Sequence, residues 1–201
     1  MARTVDPQRA AERRGAIVRA AERLFAAQGY ERTSVAQVAQ AAGLTSGSVF
    51  YYYRDKAALF RAIFEQSIPE HTELMARHVD RIDCLAAILD IVEAMAADAL
   101  DPGASGLLVE LLRRIDQDEE LTAVLAEDTR LTTGALTTLL RRGIAQGEFD
   151  PGFPPEETAR WIVSVIDAAF LNADPERPQD PRPLVRATVS RLLQPTRTEH
   201  R

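Results

Sequence analysis

The sequence predicts an all-α protein of about nine helices. Apolar residues recur at helical spacing almost throughout, and Gly-, Pro- and Asp-rich turns break the chain between these stretches. No segment alternates apolar and polar residues as a half-buried strand would. With 201 residues, 46% of them hydrophobic and 27% charged, the composition is that of a globular protein of one or two domains. It excludes a mainly disordered chain, a collagen and a Cys-rich secreted scaffold. No run reaches the ~18 apolar residues of a bilayer span, so no membrane partner is expected. The first 23 residues alternate charge and alanine without the apolar core of a secretory signal. The lone Cys84 cannot form an intramolecular disulfide, which fits a reducing, cytoplasmic compartment.

The elements follow in order. Ile17, Ala21, Leu24 and Phe25 share one face of a first helix, which Gly29 can stop. Ser34 and Gln37 form a capping box that opens a second helix carrying Val35, Val38, Ala39 and Ala42, and Gly43 ends it. Thr45 or Ser46 can cap a short third helix with Val49, Phe50 and Tyr53 inward. Asp55 can cap a fourth, with Leu59, Phe60, Ile63 and Phe64 buried, running to about Asp80 with a kink at Pro69. Residues 84–100, 105–116 and 118–146 read as the fifth to seventh helices. Pro155 suits the first position of an eighth, with Glu156 and Glu157 at its positive end. Residues 174–183 hold four prolines and connect to a ninth helix at 184–193; the tail after Pro195 is expected to fray.

Between Trp161 and Leu171 only Ser164 and Asp167 are polar, and a helix apolar on most sides needs partners on most sides. The ninth helix adds a second stripe. Both can complete one core, but the preferred reading is a pairing surface between two subunits, formed by Ile162, Val165, Ile166, Val185, Val189 and Leu192.

The net charge of −6 argues against a general nucleic-acid coat, but it hides an asymmetry. Residues 1–64 hold ten basic and five acidic groups, a balance of +5; the remainder holds 14 and 25, a balance of −11. A basic first third on an acidic remainder suggests two jobs, the first on an anionic partner. The nearly exclusive use of arginine over lysine fits a GC-rich bacterial genome.

Within residues 34–56, Gly43-Leu44-Thr45 forms a short turn between two short amphipathic helices. This is helix-turn-helix spacing, in which the second helix enters the DNA major groove. Ser46, Gly47 and Ser48 are small and polar, which lets a backbone approach base edges, although small residues also simply cap helices. All four tyrosines, Tyr30, Tyr51, Tyr52 and Tyr53, lie in the first 53 residues. Successive helical residues turn ~100°, so three in a row cannot face one core. Tyr53 is expected inward with Val49 and Phe50, while Tyr51 and Tyr52 are expected outward, where a hydroxyl beside basic charge suits phosphate. Lys56, the only lysine, stands at a helix start, where a cation costs ~0.3–1 kcal/mol. A bound phosphate would reverse that sign; pairing with Asp55 would also explain it.

The run Thr33-Ser-Val-Ala-Gln-Val-Ala-Gln-Ala-Ala-Gly-Leu-Thr-Ser-Gly-Ser-Val-Phe-Tyr-Tyr-Tyr-Arg-Asp-Lys56 resembles the DNA-binding domain of the TetR/AcrR family of bacterial transcriptional regulators. Leu24-Phe25, Gly29-Tyr30, Thr33-Ser34-Val35, Ala42-Gly43 and Lys56 match its spacing over residues 14–64. Phe50 departs from the usual Tyr, and Tyr53 from the usual Phe. The resemblance implies a helix-turn-helix domain at 1–60 and a larger helical ligand-binding and dimerisation domain at 61–201. It implies a homodimeric repressor on a palindromic double-stranded operator, released when a small apolar effector binds. It further implies that Thr33 and Ser34 meet phosphate at the second helix. Ser46, Gly47, Ser48 and Tyr51 would face bases, Tyr52 and Lys56 would meet phosphate, and Thr45 would belong to the same DNA-binding set.

Catalytic patterns are not seen: no GxSxG, HExxH, P-loop, dinucleotide Gly motif or CxxC is present. His71 and His78 stand ~10 Å apart along a helix, too far to share one metal. No enzyme activity, metal or cofactor is therefore expected. Met75, Met95, Trp161, Asp167 and Phe170 are candidates for an effector pocket, though each also fits core packing. Asp167 needs a partner if buried, and Arg142 is one option. A helical partner-binding protein and a Cys84-based redox-sensing regulator are the alternatives.

Overall fold

The computed structural model describes residues 7–150, 152 and 154–194, and it contains no strand among them. Ten α-helices follow in order: α1 (Pro7–Gln28), α2 (Val35–Ala41), α3 (Ser46–Tyr52), α4 (Lys56–Glu65), α5 (Ser67–His78), α6 (Cys84–Ala97), α7 (Ala104–Arg114), α8 (Glu119–Ala145), α9 (Pro155–Leu171) and α10 (Arg182–Leu193). Single 3₁₀ turns at Asp98–Leu100 and Ile115–Gln117 close α6 and α7. The all-α expectation holds. The tenth helix arises because the expected fourth is divided at Gln66. Pro69 explains the position: continued as one helix, its ring would strike the Glu65 carbonyl one turn back. With α5 restarting at Ser67, the proline falls in a first turn, where its missing N–H has no partner to lose. The tail after Pro195, expected to fray, lies outside the described residues.

The chain forms two compact units, Met1–Ser67 with Gly106–Val124, and Ile68–Ser105 with Leu125–Arg201. In the first, α1 packs on α2 and α4, and α2 on α3. Phe25 and Phe60 are fully buried with ring centroids 5.3 Å apart, and Tyr30 stacks on Phe25 at 5.3 Å. Gly106 brings α7 against α1 so closely that a Cβ there would strike the Ala26 carbonyl. Asp118 caps α8 by accepting the Leu121 N–H at 3.0 Å and accepts Arg61 Nη1 at 2.8 Å. Both side chains of that ion pair are 7% exposed. Arg61 Nη2 also meets Glu120 at 2.5 Å, and Arg54 reaches the same carboxylate at 3.0 Å. Burial alone would raise the Asp118 carboxyl; the Leu121 N–H and the Arg61 guanidinium outweigh it and hold it below its ordinary value.

In the second unit α6 supplies the centre, with α9 and α10 packed on it. Ala87, Ile88, Ile91 and Val92 of α6 are 0% exposed, and Leu136, Leu139 and Leu140 of α8 join the same core. Ile162, Ile166, Val185 and Val189, expected at a subunit interface, are buried in this core, and Val165 and Leu192 pack against it. The partners that α9 needs are thus found within the subunit, in α6 and α10. Its outward face carries Trp161 and Leu171, 69% and 65% exposed, and α10 presents Leu184 at 74%. His71 of α5 is hydrogen-bonded to Asp128 of α8 at 2.7 Å, and that bond raises the imidazole above its ordinary 6.5 against the opposing effect of burial.

Two outcomes follow from these ion pairs. Asp118→Ala leaves the Arg61 charge buried beside Glu120 alone, and breaking a buried pair costs ~3–5 kcal/mol. Urea denaturation should show a loss near the lower end, and the Arg61→Met, Asp118→Ala double variant should lose less than the sum of the two singles. For His71 the folded value is raised. Its contribution is therefore complete below pH 6.5 and is lost as pH rises through the raised value. The stability difference between wild type and His71→Gln should shrink from pH 5.5 to 8.5; a difference independent of pH would contradict the pairing.

Candidate nucleic-acid interface

The helix-turn-helix is built from local bonds. Ser34 Oγ accepts the Gln37 N–H at 3.2 Å while Gln37 Oε1 accepts the Ser34 N–H at 2.8 Å, a complete capping box for α2. Val38 and Ala39 are the buried side of that helix. Gly43 then turns the chain with φ +68°, a left-handed conformation that favours glycine, and Leu44 N–H returns to Ala39 O at 2.8 Å. Thr45 caps α3, accepting the Ser48 N–H at 3.2 Å, and its hydroxyl lies 3.0 Å from that of Ser48. One residue of α3, Val49, is buried, while Phe50 is 51% and Tyr51 72% exposed. Asp55 caps α4 through the Ala58 N–H at 2.7 Å.

Ser34, Thr45, Gly47 and Tyr51 are exposed, and Ser46, Ser48, Tyr52 and Lys56 are half-buried. Thr33 differs from expectation. It is 2% exposed, its hydroxyl donates to Gly29 O at 2.8 Å, and its N–H donates to Tyr30 O. That hydroxyl fastens the end of α1 rather than facing a phosphate. Phe50 was expected inward with Val49 and Tyr53, but it is turned ~100° from Val49 and faces out. Tyr53 is half-buried at the C-cap, where burial raises its phenol.

Tyr51 and Tyr52 meet edge to face, with centroids 5.0 Å apart and planes at 86°. Arg14 of α1 lies 5.7 Å from the Tyr52 ring. Arg14 was not among the expected interface residues, because only the fold brings α1 beside α3. Lys56 Nζ donates to Tyr30 O at 2.9 Å and sits 4.1 Å from the Tyr30 ring centroid. The carbonyl and ring offset its unfavourable place at a helix start. Counting 106–124, the unit has twelve basic and eleven acidic groups, so its net charge is +1 rather than the +5 of residues 1–64.

The described residues of this unit line at least two cavities. One of about 310 Å³ is bounded by Tyr30, Arg32, Glu110 and Arg114. The other, about 680 Å³, is bounded by Arg14, Tyr52, Arg54 and Glu120. The five effector candidates line neither. Met75 is buried in the second unit's core, Met95 and Phe170 pack on it, and Trp161 is exposed. Asp167 is on the exposed side of α9, where partial burial of its carboxyl raises it above its ordinary value. Arg142 is not its partner: Arg142 Nε donates to Cys84 Sγ at 3.3 Å and Nη2 donates to Arg81 O. Among the described residues no three His, Cys, Asp or Glu side chains group to hold a metal ion, and no helix is long and apolar enough to cross a membrane.

The pattern of the bacterial regulatory proteins of the tetR family matches residues 17–63. Over 170 residues the chain is 31% identical to the HTH-type transcriptional repressor Rv1474c of Mycobacterium tuberculosis, covering 84% of this chain and 87% of that one. The chain belongs to the TetR family. It is a transcriptional regulator, and its helix-turn-helix is the DNA-binding element. A second TetR-family relative is the HTH-type transcriptional regulator TtgR of Pseudomonas putida, 30% identical over 155 residues, 71% of this chain and 73% of that one. The TetR-family fold is shared with the transcriptional regulator FadR of Bacillus subtilis in complex with stearoyl-CoA. That match has a TM-score of 0.75 and 20% identity, and covers 89% and 97% of the two chains.

Lys56 in this TetR-family chain is held by a charged hydrogen bond and a ring. Those contacts are worth ~1.5–3 and ~0.5–1 kcal/mol when removed. Lys56→Met should therefore lower unfolding stability by ~1–3 kcal/mol in urea, before any DNA is present. Unchanged stability would show the contact to be idle.

Proposed function

We propose that this regulator is a cytoplasmic repressor that binds a palindromic operator as a homodimer and releases it when a small, largely apolar effector occupies the second unit. The observation that carries the reading is α3, a capped seven-residue helix seated by Val49 alone, with Gly47 and Tyr51 turned outward. A recognition helix presents its outward face to the major groove. Ser46 and Ser48 flank that face at base edges. Ser34 and Tyr52 meet the backbone, and Lys56 uses the donors not taken by Tyr30 O. Thr33 holds the helix-turn-helix in place from inside. Asp118 and Glu120 are paired with Arg54 and Arg61, so the cationic field that this net-negative chain offers DNA is carried locally by Arg14 and Lys56. Trp161, Leu171 and Leu184 supply the apolar surface for pairing, over the core residues expected there. FadR, a protein of the same fold, is seen in complex with stearoyl-CoA, whose long acyl chain supports an effector with a large apolar part.

Titrating wild type and variants against a selected operator and a scrambled duplex at several salt concentrations tests this. Lys56→Ala should lower the salt slope by ~1 per subunit on every sequence. Ser46 and Ser48 variants should change preference at particular base pairs, by less than the ~1–3 kcal/mol of a bidentate contact, because a single hydroxyl both donates and accepts. Trp161→Glu with Leu184→Glu should weaken dimerisation, read by light scattering, and DNA binding together. An effector should shift DNA affinity ~5–150-fold, and DNA should shift effector affinity by the same factor. A monomer that binds scrambled and selected duplex equally would end the proposal.

A further inference from the structure

The recognition helix α3 reads Ser-Gly-Ser-Val-Phe-Tyr-Tyr. It holds no Arg, Lys, Asn, Gln, Asp or Glu, the side chains whose directed hydrogen bonds single out G, A and C in the major groove. Its serine hydroxyls can donate or accept, so they suit several bases, and that of Ser48 is also engaged by Thr45 at 3.0 Å. Tyr52, braced edge to face by Tyr51 and with Arg14 beside it, suits the backbone, and the Tyr51 hydroxyl, like those of the serines, can donate or accept. What remains is apolar. Phe50 is 51% exposed while its neighbour Val49 is 1% exposed, so the helix is seated with the phenyl ring outward. One turn earlier Gly47 adds no side chain to α3, and a Cβ there would meet only Thr45 Oγ1, at 3.9 Å. The major groove offers one apolar feature to such a ring, the C5-methyl of thymine.

We infer that Phe50 determines operator specificity by packing on the C5-methyl group of one thymine in each half-site. This rests on the reading of α3 as the groove helix. The same methyl is carried by 5-methylcytosine, so the contact follows the methyl and not the base pair.

The test uses the full chain and the duplex it enriches from a random library. One position per half-site should select thymine. Replacing that thymine by deoxyuridine removes only the methyl and should weaken binding about fourfold, or about 15-fold when both half-sites are changed, taking a buried methyl at ~0.8 kcal/mol. Phe50→Ala should erase the difference between thymine and deoxyuridine while leaving the salt slope and far-UV circular dichroism unchanged. At the same position 5-methylcytosine should bind better than cytosine. Indifference of the wild type to every deoxyuridine replacement overturns the inference and leaves the regulator reading intact. A deoxyuridine penalty that survives Phe50→Ala also overturns it, by giving the methyl to another residue. Failure to enrich any sequence ends the regulator reading itself, and this inference with it. The deoxyuridine scan needs no variant, so it stands whether or not Phe50→Ala folds.

Discussion

The first unit is organised around Tyr30. Gly29, at φ +85°, ends α1 and turns the chain so that the tyrosine ring stacks on Phe25 and meets Phe60 edge-on at 5.4 Å. The Tyr30 carbonyl takes the Thr33 N–H and the Lys56 ammonium; its N–H goes to Glu110 at 3.1 Å. Over the ring lie two cations, Lys56 at 4.1 Å and Arg114 at 3.6 Å. One residue thereby sets the entry to the helix-turn-helix, the start of α4 and the seat of α7. Aromatic pairs add ~0.5–1.5 kcal/mol each beyond their buried area. The larger consequence is geometric, because α2 and α3 are each seven residues long and too short to persist alone.

Segment 106–124 changes the electrostatics as well as the packing. It brings five carboxylates and two arginines into a unit that would otherwise be clearly basic. Three of those carboxylates are engaged: Asp118 on Arg61, Glu120 on Arg54 and Arg61, and Glu110 on Arg113. Arg54 and Arg61 are therefore partly spent as DNA cations. What remains for an anion is carried by individual placement: Arg14 beside Tyr52, and Lys56 with two unspent donors. A charge sum over sequence blocks could suggest the anionic partner, but it could not say which cations stay available.

Legibility in the sequence followed the range of the interactions. Caps and stops need only neighbours within one turn, so the Ser34–Gln37 box, the Thr45 and Asp55 caps and the breaks at Gly29 and Gly43 were readable. The break at Gln66 was half readable: Pro69 announced a disturbance, but its ring acts on the turn before it. Thr33 and Phe50 were misplaced for different reasons. The Thr33 hydroxyl is consumed by α1 carbonyls, which spacing within α2 does not reveal. Phe50 was grouped with Val49 by residue type, although one step along a helix separates their faces. Ile162, Ile166, Val185 and Val189 showed correct apolar periodicity, but periodicity names a buried face and not the chain that buries it. Nothing local marked 106–124 as part of the first unit, since its contacts with Ala26, Tyr30 and Arg61 are all distant in sequence.

The same division of labour governs which positions of α3 can vary. Val49 is the only side chain of that helix fully inside, so its loss would affect the seat on which every outward residue depends. Thr45 holds the first turn, and Tyr53 ends the helix by leaving the helical conformation at φ −132°. Gly47, Phe50 and Tyr51 carry little of this structural work, being exposed and one step removed from the packing. Folding therefore constrains their identities little. A helix so constructed separates stability from selectivity. The Tyr30 node, the caps and Val49 fix where the outward face stands, and Gly47, Phe50 and Tyr51 are left free of that task.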